Sequence, residues 1–228
     1  DYWVDAWEIR EKRNYYHRLY RDVRSRLVVS PQTNVLDIGG GDGHLMHYLG
    51  IASADILDIS FSGLRIAGRR GYRALLGDLQ APFPVFENSY DFAFCFEVLE
   101  HLWRPDVTVA EARKALKPGG VLYVGQPNMR ADGVHHVRRF YKKDIVSLLE
   151  GSGFLVDWID YVPRFIVRDA IWDDIKRATS LGRKVKQCVA LAISLLPRTV
   201  LTFLARYFPD RFCLLFIIKA VKPCSSEH

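Results

Sequence analysis

Val35-Leu36-Asp37-Ile38-Gly39-Gly40-Gly41-Asp42-Gly43 reads as a short apolar strand running into a glycine-rich turn that opens a helix, Gly43 to Leu49. Glycines let the backbone turn tightly and let a ligand come close to it. A turn of this kind at the carboxyl end of a central strand is where open α/β sheets bind ligands. Two nucleotide readings fail on spacing. A dinucleotide fingerprint needs G-x-G-x-x-G, but the sixth position is His44 counted from Gly39 and Met46 counted from Gly41. The G-x-x-x-x-G-K-[ST] phosphate loop does not occur, so an ATPase reading has no support either.

Outward from that turn, apolar runs alternate with helical stretches. Asn34 to Ile38, Ala54 to Ile59, Tyr72 to Leu76, Asp91 to Phe96 and Val121 to Gly125 are strand candidates. Helices at Gly43 to Leu49, Ser62 to Arg70 and Pro105 to Leu116 fill three of the gaps, and Gln80 to Ser89, with Pro82 and Pro84, reads as loop. Such alternation implies right-handed βαβ units and a mostly parallel sheet. Upstream, Tyr16, Leu19, Tyr20, Val23 and Leu27 lie at near-helical spacing ahead of Pro31, which predicts an amphipathic leading helix. Downstream, a helix from Lys142 to Glu150 stops at Gly151 and Gly153, a strand runs from Phe154 to Tyr161, and Arg211 to Val221 makes the last strand. Gly182, Pro197 and Pro209 divide the intervening stretch into helical segments. The expected layout is one α/β domain over 1–228, with a leading helix (1–30), a ligand-binding core (31–162), a helical insert or lid (163–210) and a last strand (211–222).

Five stretches, in order, resemble the motifs of class I S-adenosylmethionine (SAM)-dependent methyltransferases: the glycine turn, Ile56-Leu57-Asp58-Ile59-Ser60, Gly77-Asp78-Leu79, Tyr90 to Leu102 with its Glu97-Val98-Leu99-Glu100-His101, and Leu116-Lys117-Pro118-Gly119-Gly120. The resemblance implies a Rossmann-like, doubly wound, seven-stranded sheet of order 3-2-1-4-5-7-6, its last strand antiparallel, with the helical insert before that strand. It also implies SAM as methyl donor and S-adenosylhomocysteine as product. Asp37, Gly39, Gly41 and Gly43 would form the cradle, Asp58 with Ile59 would meet the ribose hydroxyls, Asp78 with Leu79 the adenine, and Phe96 would border the site. Each residue also has a structural reading: glycines shape turns, Asp58 can cap a helix, and Asp78 can hold a loop. Those readings do not explain four motifs at four consecutive strand ends.

The acceptor side rests on fewer residues. Enzymes that methylate adenine amino groups often carry (N/D)PP(Y/F) after the fourth strand, where this chain has Phe96-Glu97-Val98-Leu99, which argues against base N-methylation. Gly133-Val134-His135-His136-Val137-Arg138-Arg139-Phe140 resembles a segment of the ubiquinone-biosynthesis O-methyltransferases and of small-molecule and glycan methyltransferases with "HxRxF". The implied acceptor is a hydroxyl of a small molecule, sugar or lipid-linked substrate, with His136, His135 and Glu97 as catalytic candidates. Histidine suits proton removal at neutral pH. Glu97, Glu100 and His101 have i, i+3, i+4 spacing, which on a helical turn would put them on one face. With a loop histidine they would form the divalent-metal set used by ubiquinone-type and small-RNA 2'-O-methyltransferases. The same EVLEH occurs in relatives that need no metal, so the expectation is a metal-independent enzyme.

Composition sets the remaining bounds. Four cysteines, widely spaced and without CxxC, support neither a disulfide scaffold nor structural zinc, and a reducing, cytoplasmic setting is expected. Asp1 is not Met and no charged-then-apolar leader precedes the body, as in a processed or trimmed chain. The net charge of +6 concentrates downstream: residues 127–228 carry 17 basic and 10 acidic side chains, whereas 31–126 carry 8 and 11. A basic half can meet nucleic acid or an anionic membrane, and solvated faces also collect Lys and Arg. An RNA methyltransferase and a non-catalytic SAM-fold binding subunit are therefore the alternatives. Gln187 to Leu196 is an uncharged stretch well short of the roughly 20 residues a transmembrane helix needs. Flanked by Arg183, Lys184 and Lys186, it fits a helix packed on its own domain or on a dimer mate, or one lying peripherally in a membrane interface; protein packing is the expectation.

Overall fold

A computed structural model describes Arg24 and residues 33–128, 136–163 and 179–224; the leading helix expected over 1–30 lies outside these residues, apart from a helical Arg24. Strands β1 (Val35–Ile38), β2 (Asp55–Asp58), β3 (Arg73–Leu76), β4 (Tyr90–Phe96), β5 (Leu116–Pro127), β6 (Leu155–Pro163) and β7 (Cys213–Val221) form one sheet of order β3-β2-β1-β4-β5-β7-β6. The five strands from β3 to β5 pair in parallel, and β7 runs antiparallel to both β5 and β6. This is the expected doubly wound order. The helices are α1 (His44–Leu49), α2 (Phe61–Arg69), α3 (Pro105–Ala115), α4 (Lys142–Gly151), α5 (Leu181–Ser194), α6 (Arg198–Tyr207) and α7 (Pro209–Phe212). The first two of the last three lie in the expected insert, of which 164–178 lies outside the described residues; α7 runs past the insert's expected end, so β7 starts at Cys213 instead of Arg211.

Strand periodicity splits the core in two, because successive side chains point to opposite faces. On one face, Leu36 and Ile38 of β1, Ala93 and Cys95 of β4, and Leu122 and Val124 of β5 pack with Val109, Ala112 and Ala115 of α3 and Ile145 and Leu149 of α4. On the other, Val35, Phe94, Phe96 and Tyr123 pack with Leu45, Met46 and Leu49 of α1 and Leu64 and Ala67 of α2. Phe94 and Tyr123 stack there with centroids 5.3 Å apart. Two-sided burial is why β1, β4 and β5 read as continuous apolar runs and not as alternating ones.

The main difference from the sequence expectation is β5, which starts at Leu116 instead of Val121. Tyr90 pairs with Leu116, and Lys222 accepts the Gly119 N–H and donates its own to Gly120. The turn-like Lys117-Pro118-Gly119-Gly120 is thereby drawn into the sheet by tertiary partners that local sequence does not show.

Gly125 of β5 fixes the end of the neighbouring strand. A Cβ at Gly125 would stand 2.2 Å from the Phe96 ring, so the ring occupies the space that only glycine leaves open. Gly125→Ala is expected to push Phe96 out of place and lower stability by about 1 to 3 kcal/mol, the range for overpacking a core. Urea unfolding checks this, and an unchanged midpoint would mean that the ring moves aside without cost.

Candidate cofactor and acceptor site

The cradle forms where β1 ends. Gly39, at φ +72°, donates its N–H to Leu57 C=O at 2.7 Å, and a Cβ there would stand 2.4 Å from Val98 Cγ2. The left-handed backbone and the close approach together require glycine. The turn closes through Gly43 N–H to Gly40 C=O at 2.8 Å, and Gly43 then begins α1. Asp58, at the end of β2, holds the turn from the side: one carboxylate oxygen accepts the Gly41 N–H at 2.9 Å and the other the Ser60 N–H at 2.7 Å. Ser60 Oγ accepts the Gly63 N–H at 3.2 Å and caps α2. Burial raises the Asp58 pKa, and the hydrogen bonds from Ser60 and Gly41 oppose that shift.

Asp37 is fully buried, and its pKa is pushed up to about 8, first by burial and then by the Asp58 and Asp42 carboxylates. Its Oδ2 has no hydrogen-bond partner among the described residues. Asp42, also buried, accepts the His44 N–H at 3.1 Å, and the Arg70 guanidinium donates to Asp42 C=O at 2.6 Å while lying 3.6 Å from its carboxylate. A buried carboxyl oxygen without a donor among the described residues, under a glycine turn, suits a cationic, hydrogen-bonding ligand. The α-ammonium and sulfonium of SAM meet that requirement, so the residues present fit the donor.

The expected adenine side lies at the carboxyl ends of β2 and β3. Ile59, Phe61 and Leu76 are each more than half exposed there and offer apolar cover for a flat ring. Phe61 was not among the sequence candidates; its signal is an aromatic residue directly after the helix cap. Asp78 is exposed and accepts the Gln80 N–H at 2.9 Å, and buried Leu79 is fixed through its C=O, which accepts from Thr108 Oγ1 at 2.9 Å. Phe96 is buried against Gly125.

On the acceptor side the expected helical face of Glu97, Glu100 and His101 does not form. Glu97 precedes the turn, at φ +55°, and donates its N–H to Gly125 C=O at 2.8 Å; only Leu99–His101 coil, as a 3-10 turn. A non-glycine residue in the left-handed region is uncommon and recurs at functional sites. The residues brought together are Glu100, His101 and His136, one ligand atom of each within 4.8 Å of the others. Glu100 Oε1 lies 3.8 Å from His101 Nε2 and 3.9 Å from His136 Nε2, and the imidazoles meet edge to face at 4.9 Å. Burial pushes the Glu100 pKa up to about 7. Glu100 C=O accepts the Val137 and Arg138 N–H groups at 3.0 and 3.1 Å, which pins the segment carrying His136. His135 lies outside the described residues. Gln126, which the sequence reading passed over, is buried at the carboxyl end of β5 and donates to Glu100 Oε2 at 3.4 Å. Its signal is a polar residue closing an apolar strand.

Two outcomes follow from the carboxylates. A carboxyl whose folded pKa is raised favours the fold while both states are protonated and loses that contribution as pH climbs through the folded value. Asp37 therefore makes stability decline between about pH 4 and about pH 8, and Asp37→Asn should flatten that decline in urea titrations of the ligand-free protein. If the slope is unchanged, Asp37 is not the titrating group. Asp58→Ala removes the acceptor expected for the ribose and releases the Gly41 and Ser60 N–H groups. Calorimetry should show SAM affinity weakened by about 1.5 to 3 kcal/mol, the range for hydrogen bonds to charged groups, and an unaltered affinity would move the ribose contact elsewhere.

Comparison with known proteins agrees with this geometry. The family model of a methyltransferase domain matches residues 10–157, more than half of the chain. A Mycolicibacterium smegmatis protein named "Probable S-adenosylmethionine-dependent methyltransferase" is 28% identical over 157 residues, 63% of this chain and 61% of its own length. The ubiquinone biosynthesis O-methyltransferase of Bordetella avium is 31% identical over 102 residues, 41% of this chain and 42% of its own. The chain thus spans less than two thirds of these curated relatives. Among solved structures, a chain of the complex between the Haloferax volcanii Trm112 methyltransferase activator and a methyltransferase superposes with a TM-score of 0.70 at 20% identity, over 98% of this chain and 97% of that one. With the fold order, the glycine cradle and the family match in agreement, the chain belongs to the class I SAM-dependent methyltransferases.

Proposed function

We propose that this chain transfers the methyl group of SAM to a hydroxyl of a small-molecule, sugar or lipid-linked acceptor. The observation that carries the reading is the Glu100–His101–His136 cluster, whose Glu100 and His101 follow Val98 in the chain, the residue whose side chain lies over Gly39. SAM supplies an electrophilic methyl carbon on a positive sulfur. Gly39, Gly41, Gly43 and Asp58 hold the donor, with Ile59, Asp78 and Leu79 on its adenosine side and Asp37 toward its ammonium group. A hydroxyl oxygen attacking that carbon must lose its proton, and His136 is the group to take it. Ionised Glu100 orients the imidazole and stabilises the imidazolium. The O-methyltransferase activity in the name of the Bordetella avium relative supports a hydroxyl acceptor.

The same cluster favours a second mechanism for the same reaction. Three ligand atoms within 4.8 Å could hold a hard or borderline divalent ion through oxygen and imidazole, and such an ion would lower the hydroxyl pKa in place of a base. Glu97 does not belong to that set.

Turnover with a panel of phenolic and sugar hydroxyls, read as S-adenosylhomocysteine formed, tests the reading. His136→Ala should slow turnover by about 10² to 10⁴-fold while leaving S-adenosylhomocysteine affinity intact. Activity should rise as pH passes about 7, where the Glu100 carboxyl ionises, and Glu100→Gln should remove that limb. Full activity in EDTA fits the histidine base; loss in EDTA with recovery on Mg²⁺ or Zn²⁺ fits the metal. Methylation of amines or RNA with hydroxyl compounds inert would overturn the proposal.

A further inference from the structure

Helix α5 contains 14 residues, none of them buried. Leu181, Val185 and Val189, spaced i, i+4, i+8, form one stripe along it and are 79%, 55% and 55% exposed. The open space around Gly182, where a Cβ would meet nothing within 4 Å, agrees with that. Away from that stripe, Gln187, Ala190, Leu191, Ile193 and Ser194 are partly covered. Helix α6 is two-faced. Leu201 and Ala205 are buried and seat it on the sheet, whereas Val200, Phe203 and Tyr207 on the opposite side are 40%, 56% and 62% exposed. The two helices are joined through Leu195 and Leu196, both exposed, and the chain bends by 114° between them. No single helix among the described residues is long and apolar enough to cross a membrane.

Charge decides what covers this surface. From Thr179 to Pro209 the chain carries Arg183, Lys184, Lys186, Arg198 and Arg206 and no Asp or Glu. On α5, Lys184 and Lys186 fall on either side of the apolar stripe, where their stems can lie along apolar surface while the ammonium groups reach outward. A second copy meeting this face about a two-fold axis would set like charges against like, which is repulsive. An anionic leaflet complements the cations and takes up the apolar side chains between them.

We infer that the outer faces of α5 and α6 dock on an anionic lipid surface, with the Leu195-Leu196 bend entering first. The inference is independent of the reaction proposed above. Flotation of the purified chain with vesicles of equal parts phosphatidylcholine and phosphatidylglycerol, against vesicles of phosphatidylcholine alone, tests it. The expected result is binding at least about tenfold stronger to the anionic vesicles, weakened by salt, since each Lys or Arg near such a surface adds to the attraction. Val189→Asp with Phe203→Asp should abolish binding, and Lys184→Glu with Lys186→Glu should abolish the preference for anionic lipid. Both variants should retain wild-type S-adenosylhomocysteine affinity, which shows that they are folded. Absence of vesicle binding by the parent chain overturns the inference. So does a parent dimer in sedimentation that Val189→Asp with Phe203→Asp turns into a monomer while vesicle binding persists, since the face would then serve self-association.

Discussion

The Asp58 carboxylate, clamped between the Gly41 and Ser60 N–H groups, is the interaction on which the cradle depends. It joins the end of β2 to the turn after β1 and to the start of α2, so three elements share one anchor. The left-handed glycines alone would leave the turn mobile. The fixed carboxylate gives them one conformation, and Gly63 of α2, where a Cβ would stand 3.0 Å from Gly41, presses against the same turn.

That anchor has an electrostatic consequence. Asp37, Asp42 and Asp58 are all buried at the carboxyl ends of β1 and β2, with the Arg70 guanidinium 3.6 Å from the Asp42 carboxylate. Burial first, and then the neighbouring Asp58 and Asp42 charges, raise the Asp37 pKa. A fold selected for stability alone would not keep three carboxyls there. A site for a cationic donor would, because the ligand supplies the charge the protein lacks. Glu100, buried between two imidazoles, repeats the pattern on the acceptor side.

The family likeness and the donor follow from one set of features, the acceptor from another. The motifs at the ends of β1 to β4 are cofactor chemistry, common to many reactions on this fold, and a fold does not name a substrate. The Glu100, His101 and His136 cluster carries the proposed acceptor chemistry, and the helices α5 to α7 stand where the chain departs from the repeating βαβ pattern. The bend between α5 and α6 places an apolar, cationic surface on the same chain as the cradle.

By itself the sequence determined the alternation of strands and helices, the glycine turn and the helical character of 181–207, because hydrophobic period, glycine spacing and proline breaks are local signals, while the strand order came only through the family resemblance. Asp58 and Phe96 were legible as strand-closing residues, and the roles expected of them rest on the family resemblance. Only the tertiary structure decided that Glu97 stands apart from Glu100 and His101, because the positive φ at Glu97 follows from its N–H bond to Gly125 on another strand. It also decided that Gln126 reaches Glu100, that Val98 fills the space over Gly39, and that Leu181, Val185 and Val189 of α5 stay exposed. Helical spacing along one segment says which residues share a face. Which partner that face meets is set by residues distant in the chain, and no local pattern records it.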